Sequence, residues 1–202
     1  MTTSGRRPYV PALAATALTL GLALGAGACS GGDDEPEPPG SAGSSAPAAS
    51  AAPAVETVVA FGRVTGNLPR EARDRLADQV VAVVDGWTSA AYLEGDYPRR
   101  DFADSWPGFT PGARDEAHRD RALMSNEDIG ERIDGVVLRR SRVLLDVLAV
   151  RKRPVGVTAR VLLGFRTTGE LERVVRVEGQ LYLTHTERGW RVFGYDITKG
   201  AI

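Results

Sequence analysis

Val157, Ala159, Val161, Leu163 and Phe165 alternate with Thr158, Arg160, Leu162, Gly164 and Arg166. A period of two puts the first set on one face of a strand and the second on the other, so this stretch reads as a sheet strand with one buried face. The run Val136 to Val150 before it is long, apolar and β-branched, and Arg151-Lys152-Arg153-Pro154-Val155-Gly156 reads as the turn between them. Thr168-Gly169-Glu170 then turns the chain into Leu171 to Thr186, and Glu187-Arg188-Gly189 turns it into Trp190 to Thr198. Four hairpin-connected strands predict an antiparallel meander over the last third of the chain.

The segment before the meander has the other period. After an extended piece around Thr57 to Val64, Asn67-Leu68-Pro69 reads as a helix start, with Pro69 at the first helical position. Ala72, Leu76, Val80, Val83, Val84, Trp87 and Ala91 recur at steps of three and four, which predicts an amphipathic helix to about Tyr92, ended by Gly95 and Pro98. A short helix over Asp101 to Ser105, a third from Thr110-Pro111 to about Leu123, and a capping box at Ser125-Asn126-Glu127-Asp128 complete the reading. Helices followed by a meander predict an α+β domain, helices packed on one face of a curved antiparallel sheet. Charge divides the same way: residues 54–134 carry 10 basic and 16 acidic side chains, residues 135–202 carry 13 and 6.

Only residues 54–202 can form such a domain, about 150 residues and an ordinary size. Residues 30–53 contain no large apolar side chain and cannot bury enough surface to offset their ordering entropy. As a flexible coil they span roughly 25 to 30 Å and serve as a tether. Upstream, Arg6 and Arg7 precede Val10 to Ala28, nineteen residues without a charge, and then the only cysteine, Cys29. That is the pattern of an export signal, with cleavage expected between Ala28 and Cys29. Gly27, Ala28 and Cys29 resemble the bacterial lipobox, although Ala26 stands where that motif carries an aliphatic residue. The resemblance implies a diacylglycerol thioether on Cys29 and palmitate-type acylation. Each buried methylene contributes about 0.8 kcal/mol, so two or three chains anchor firmly where one does not. An uncleaved membrane anchor is the alternative, and Arg6-Arg7 also resembles a twin-arginine signal. The expected location is the extracytoplasmic face of the cell membrane.

The order of elements, ending in Gly189-Trp190-Arg191-Val192-Phe193-Gly194-Tyr195-Asp196, resembles the cone-shaped domains of the nuclear-transport-factor-2-like superfamily over about Pro69 to Thr198. It is similar to actinobacterial lipoproteins and Mce-associated membrane proteins that carry this domain behind an N-terminal anchor. The resemblance implies a pocket between the long helix and the sheet, lined by Trp87, Tyr92, Trp106, Phe109, Tyr182 and Tyr195; the alternative is that these rings fill the core. It also implies pairing of two copies through the sheet. An isomerase- or cyclase-like enzyme of this fold would need a buried base, with Asp104, Asp146, His185 and Asp196 as candidates, beside a Tyr donor, Tyr92, Tyr182 or Tyr195. Nothing in their spacing requires that role, and His118 lies in a densely charged helix. Two histidines 67 positions apart, no second cysteine, no phosphate-binding Gly-rich loop and no nucleophile elbow give no motif for a metal, cofactor or catalytic triad. Nucleic acid is an unexpected partner outside the membrane. The ten arginines and lysines from Arg139 to Arg176 could instead attract anionic headgroups or an acidic partner, or simply stay solvated. The expected function is a membrane-tethered accessory module that binds a ligand or partner, within or apart from an Mce-type lipid importer, with an exported enzyme as the alternative.

Overall fold

Five strands lie side by side in chain order, β1 Val58–Thr65, β2 Gly135–Val150, β3 Arg153–Thr168, β4 Val174–Thr186 and β5 Gly189–Ala201. The computed structural model describes residues 55–202; the signal segment, Cys29 and the tether lie outside the described residues. Helices α1 (Arg70–Thr88), α2 (Pro111–Arg119) and α3 (Arg121–Met124) connect β1 to β2. The domain is therefore α+β.

β2 to β5 are antiparallel, as the hairpin spacing requires, but β1 pairs parallel to β2, with Val58 opposite Arg142 and Phe61 opposite Leu145. The expected all-antiparallel sheet is thus corrected to a mixed one. The cause is the connection: the helices lie between β1 and β2, and a long crossover returns the chain to the end from which β1 started, as a parallel pair demands.

The buried face of the sheet carries Val143, Leu145 and Val147 from β2, Val157 to Phe165 at alternate positions from β3, Val175, Val177, Leu181 and Leu183 from β4, and Trp190 and Val192 from β5. Against it α1 presents Leu76, Val80, Val84 and Trp87, a stripe at helical spacing. Burying each such side chain contributes about 1.5–3 kcal/mol. The helix ends in a π-turn, Ser89–Leu93, which carries Ala91 and Tyr92 into the same core.

Several boundaries move. Arg151 and Lys152 both take left-handed backbone, φ 49° and 63°, which closes a two-residue hairpin whose twist matches its strands. Arg153–Gly156 therefore belong to β3 rather than to a long turn, and β4 begins at Val174 rather than Leu171. Asp101–Ser105 is a turn held by Asp101, whose carboxylate accepts the Ala103 N–H at 2.9 Å. The third helix starts at Pro111 as expected, with Thr110 Oγ1 accepting from Ala113 N, but breaks at Asp120 before the single turn of α3. Ser125 is extended and caps no α-helix; its hydroxyl donates to the Arg121 carbonyl and accepts the Glu127 N–H, and a short 3-10 turn, Gly130–Arg132, follows.

Candidate functional site

The aromatic residues expected to line a pocket under the sheet are divided between two faces. Trp87, Tyr92, Trp106 and Phe109 belong to the core cluster, each at most 3% exposed. Trp87 meets Tyr92 edge-on at 5.5 Å and Phe109 at 6.1 Å, and Tyr92 meets Phe165 at 6.0 Å. Their polar atoms are engaged as well. The indole N–H groups of Trp87 and Trp106 both donate to the Met124 carbonyl, at 3.2 and 3.3 Å, and the Tyr92 hydroxyl donates to Leu123 O at 2.8 Å. Burial holds the Tyr92 hydroxyl well above its ordinary pKa. Lys199 Nζ donates to the carbonyls of Ala122 and Ser125, and pairs with Asp128. Four carbonyls at the end of α3 that have no intrahelical partner are thus all satisfied by side chains. Tyr182 points to the opposite, open sheet face, against Phe193 at 6.3 Å.

The candidate bases do not converge on one another, although Asp146 and Tyr182 both line a depression of about 330 Å³ on the open sheet face. Asp104, Asp196 and His185 are exposed. Asp146 sits on the open sheet face, where the bulge after Gly62 brings the Arg63 N–H to its carboxylate at 2.7 Å and Arg160 closes an ion pair at 2.9 Å. Burial raises its pKa, but the hydrogen bonds from Arg63 N–H and Arg160 outweigh this and hold it below the ordinary aspartate value. A carboxylate so stabilised is a poor proton acceptor. Among the described residues, a tyrosine–carboxylate hydrogen bond joins Tyr195, the donor, to Asp120 at 2.7 Å; burial and that carboxylate raise the Tyr195 pKa. His118 stands edge-on to Trp106 at 5.7 Å. Among the described residues no group of three or more His, Cys, Asp or Glu side chains is placed to hold a metal ion.

The most extensive run of concave surface lies along the flank of α1 that faces the β4–β5 hairpin. A cleft of about 560 Å³ is lined by Pro69, Glu71, Ala72, Arg75, Leu76, Gln79, Lys152, Arg153, Pro154, His185 and Trp190, within the roughly 300–1,000 Å³ usual for binding sites. Gln79 and Trp190 also line a second depression of about 380 Å³, with Val83, Gly86, Pro107 and Arg188. Arg188 and Arg191 in turn line a third, about 370 Å³, with Phe109, Pro111 and Arg114. The first two adjoin as a groove between α1 and the β4–β5 hairpin, and the third continues it past Arg188 and Arg191 to the start of α2. The groove's accessible apolar surface comes from Pro69, Ala72, Val83, Pro107 and Pro154; Leu76 and Trp190 close it from beneath as core residues, 1% and 4% exposed, and His185 braces the Trp190 ring edge-on at 5.4 Å. Its rim is net cationic, with Arg75, Lys152, Arg153, Arg188, Arg191 and Arg114 against Glu71 and Asp115.

The topology explains why these side chains meet. In a meander the first and third turns fall at the same end of the sheet, so Lys152 and Arg153 share a cleft with His185 and Trp190, which flank the turn that carries Arg188. β1 runs parallel to β2 and so ends there too, which brings the start of α1 to the same place. The sequence reading named Lys152, Arg153 and His185 but not Arg75, Arg114, Arg188 or Arg191 as a group. Counting turn parity along the meander was the available signal for Arg188; the contribution of Arg114 depends on where α2 packs. Arg160, Arg166 and Arg176 on the open face pair with Asp146, Glu172 and Glu178. Among the described residues, Lys152, Arg153, Arg188, Arg191 and Arg114 make no such pair, and Arg75 reaches Glu71 only at 4.0 Å with both exposed. In comparisons with known proteins, no family model, no curated protein and no solved structure matches this chain.

Proposed function

We propose that this chain is a cell-envelope lipoprotein, tethered through Cys29, whose α+β domain is a non-catalytic binding module of the nuclear-transport-factor-2-like cone type. The observation that carries the binding role is the groove along α1: apolar surface beside a rim on which Lys152, Arg153, Arg188, Arg191 and Arg114 lack carboxylate partners among the described residues. The space beneath the sheet, where an enzyme of this fold would hold its substrate, is occupied by Trp87, Tyr92, Phe109 and Phe165, and Asp146 is engaged by Arg63 and Arg160. These features favour a binding module over an isomerase or cyclase. An accessory place beside an Mce-type importer is the narrower form of the same reading, supported by the order of signal, tether and domain.

The test is the mass of the N-terminal peptide from protein extracted from native membranes in mild detergent. A peptide beginning at Cys29 with a diacyl or triacyl addition is expected. A peptide that retains Arg6 and carries no lipid overturns the lipoprotein reading and makes the first segment an anchor.

A further inference from the structure

The cations of the groove are spread along it rather than gathered at a point. Lys152, Arg153 and Arg75 lie in the cleft toward the N-terminus of α1, Arg188 and Arg191 in the middle, and Arg114 beyond them. α1 lines the groove from Glu71 to Gly86, about 22 Å at 1.5 Å per residue. That length matches about seven residues of extended polypeptide. A compact anion would be served by converging donors; distributed donors suit a ligand with spaced negative charges. Between them, the apolar surface of Pro69, Ala72, Val83 and Pro154 suits side chains that alternate with the charges. A bare phosphate polymer would leave that surface unused.

The hairpin at the cleft points the same way. Arg151 and Lys152 occupy two successive left-handed positions that Asn-Gly fills with less strain. Left-handed backbone at non-glycine residues is a local cost in stability, and it places the Lys152 side chain at the cleft.

We propose that the groove along α1 docks an extended acidic peptide segment of a partner protein, its carboxylates on Arg75, Lys152, Arg153, Arg188 and Arg191 and its apolar side chains over Ala72, Val83 and Pro154. This rests on the binding-module reading above and names the partner's chemistry. The experiment uses the full chain and a fluorescent decapeptide in which two Glu alternate with one Leu, read by polarisation at low salt. Binding that weakens as salt rises is expected, and at least tenfold weaker binding of the same peptide with Gln for every Glu. Lys152→Gly and Arg188→Gln are each expected to weaken binding by about twofold to fivefold, the range of exposed ion pairs. Arg176→Gln, on the open sheet face, is expected to leave it unchanged.

Equal affinity for the Gln peptide overturns the proposal, as does an equal loss in the Arg176 variant. Tighter binding of a ten-unit inorganic polyphosphate than of the acidic peptide replaces the peptide with a phosphate polymer as occupant. Failure of every probe with a lipidated Cys29 sinks the peptide assignment alone. An unlipidated N-terminus sinks the tethered reading whatever the groove binds.

Discussion

Lys199 shows how a charge is used inside this domain. Its side chain is only 5% exposed, and burial lowers its pKa although Asp128 opposes the shift. Replacing it by Met would leave the carbonyls of Ala122 and Ser125 and the Asp128 carboxylate without their donor. The expected cost is about 1–3 kcal/mol, read from urea unfolding. Trp87→Ala removes a fully buried ring and the N–H bond to Met124 O; a loss of about 3–5 kcal/mol is expected by the same measurement. Asp146 gives the pH-dependent case. Its native pKa lies below the unfolded value of about 3.9, so the unfolded chain takes up its proton first as pH falls. Its contribution is complete above about pH 5 and is lost through the unfolded pKa and down to the native one. Unfolding midpoints from pH 6 to 3 are expected to fall less steeply in Asp146→Asn than in the parent, and parallel curves would refute this role.

At the scale of elements, α3 has a single turn and few contacts of its own making. It is fixed because Trp87, Tyr92, Trp106 and Lys199 reach its carbonyls from α1, the π-turn, the following loop and β5. A helix this short does not persist by propensity alone, which is why its break from α2 at Asp120 has no counterpart in the periodicity. The β4–β5 pair has its own constraint at Gly179, φ +144°, where an added Cβ would lie 2.0 Å from the Asp196 carbonyl oxygen. Gly179→Ala is expected to destabilise by more than about 2 kcal/mol in thermal or urea unfolding. The β2–β3 hairpin predicts the opposite sign: Lys152→Gly relieves a left-handed strain and should stabilise by about 0.5–1 kcal/mol. The same variant is expected to bind the acidic peptide less well, so stability and binding separate.

For the whole molecule, the arrangement divides labour between a filled interior and an outer groove. The six rings expected around one pocket serve two faces because Tyr182 occupies an even position on β4, whereas Val177, Leu181 and Leu183 take the inward odd ones. If Cys29 carries the lipid, Cys29→Ser is expected to move the protein from the membrane pellet to the soluble fraction while leaving its unfolding midpoint unchanged. A variant that remains in the pellet would place the anchor in the apolar run before it.

The alternation from Val157 to Arg166, the helical stripe from Leu76 to Ala91 and the turn at Glu187-Arg188-Gly189 were legible because each is a local pattern, written in residues close together in the chain. They determined the element types, the α+β class and the outward arginines. Three features were not local and only the tertiary structure decided them. The parallel pairing of β1 depends on a partner far along the chain. The closure of the space under the sheet depends on how Trp87, Tyr92, Phe109 and Phe165 pack together. The groove exists because two hairpin turns, the start of α1 and the start of α2 arrive at neighbouring places. Periodicity tells which way a side chain faces along its own element; which other element it meets is set by packing and by the path of the connections.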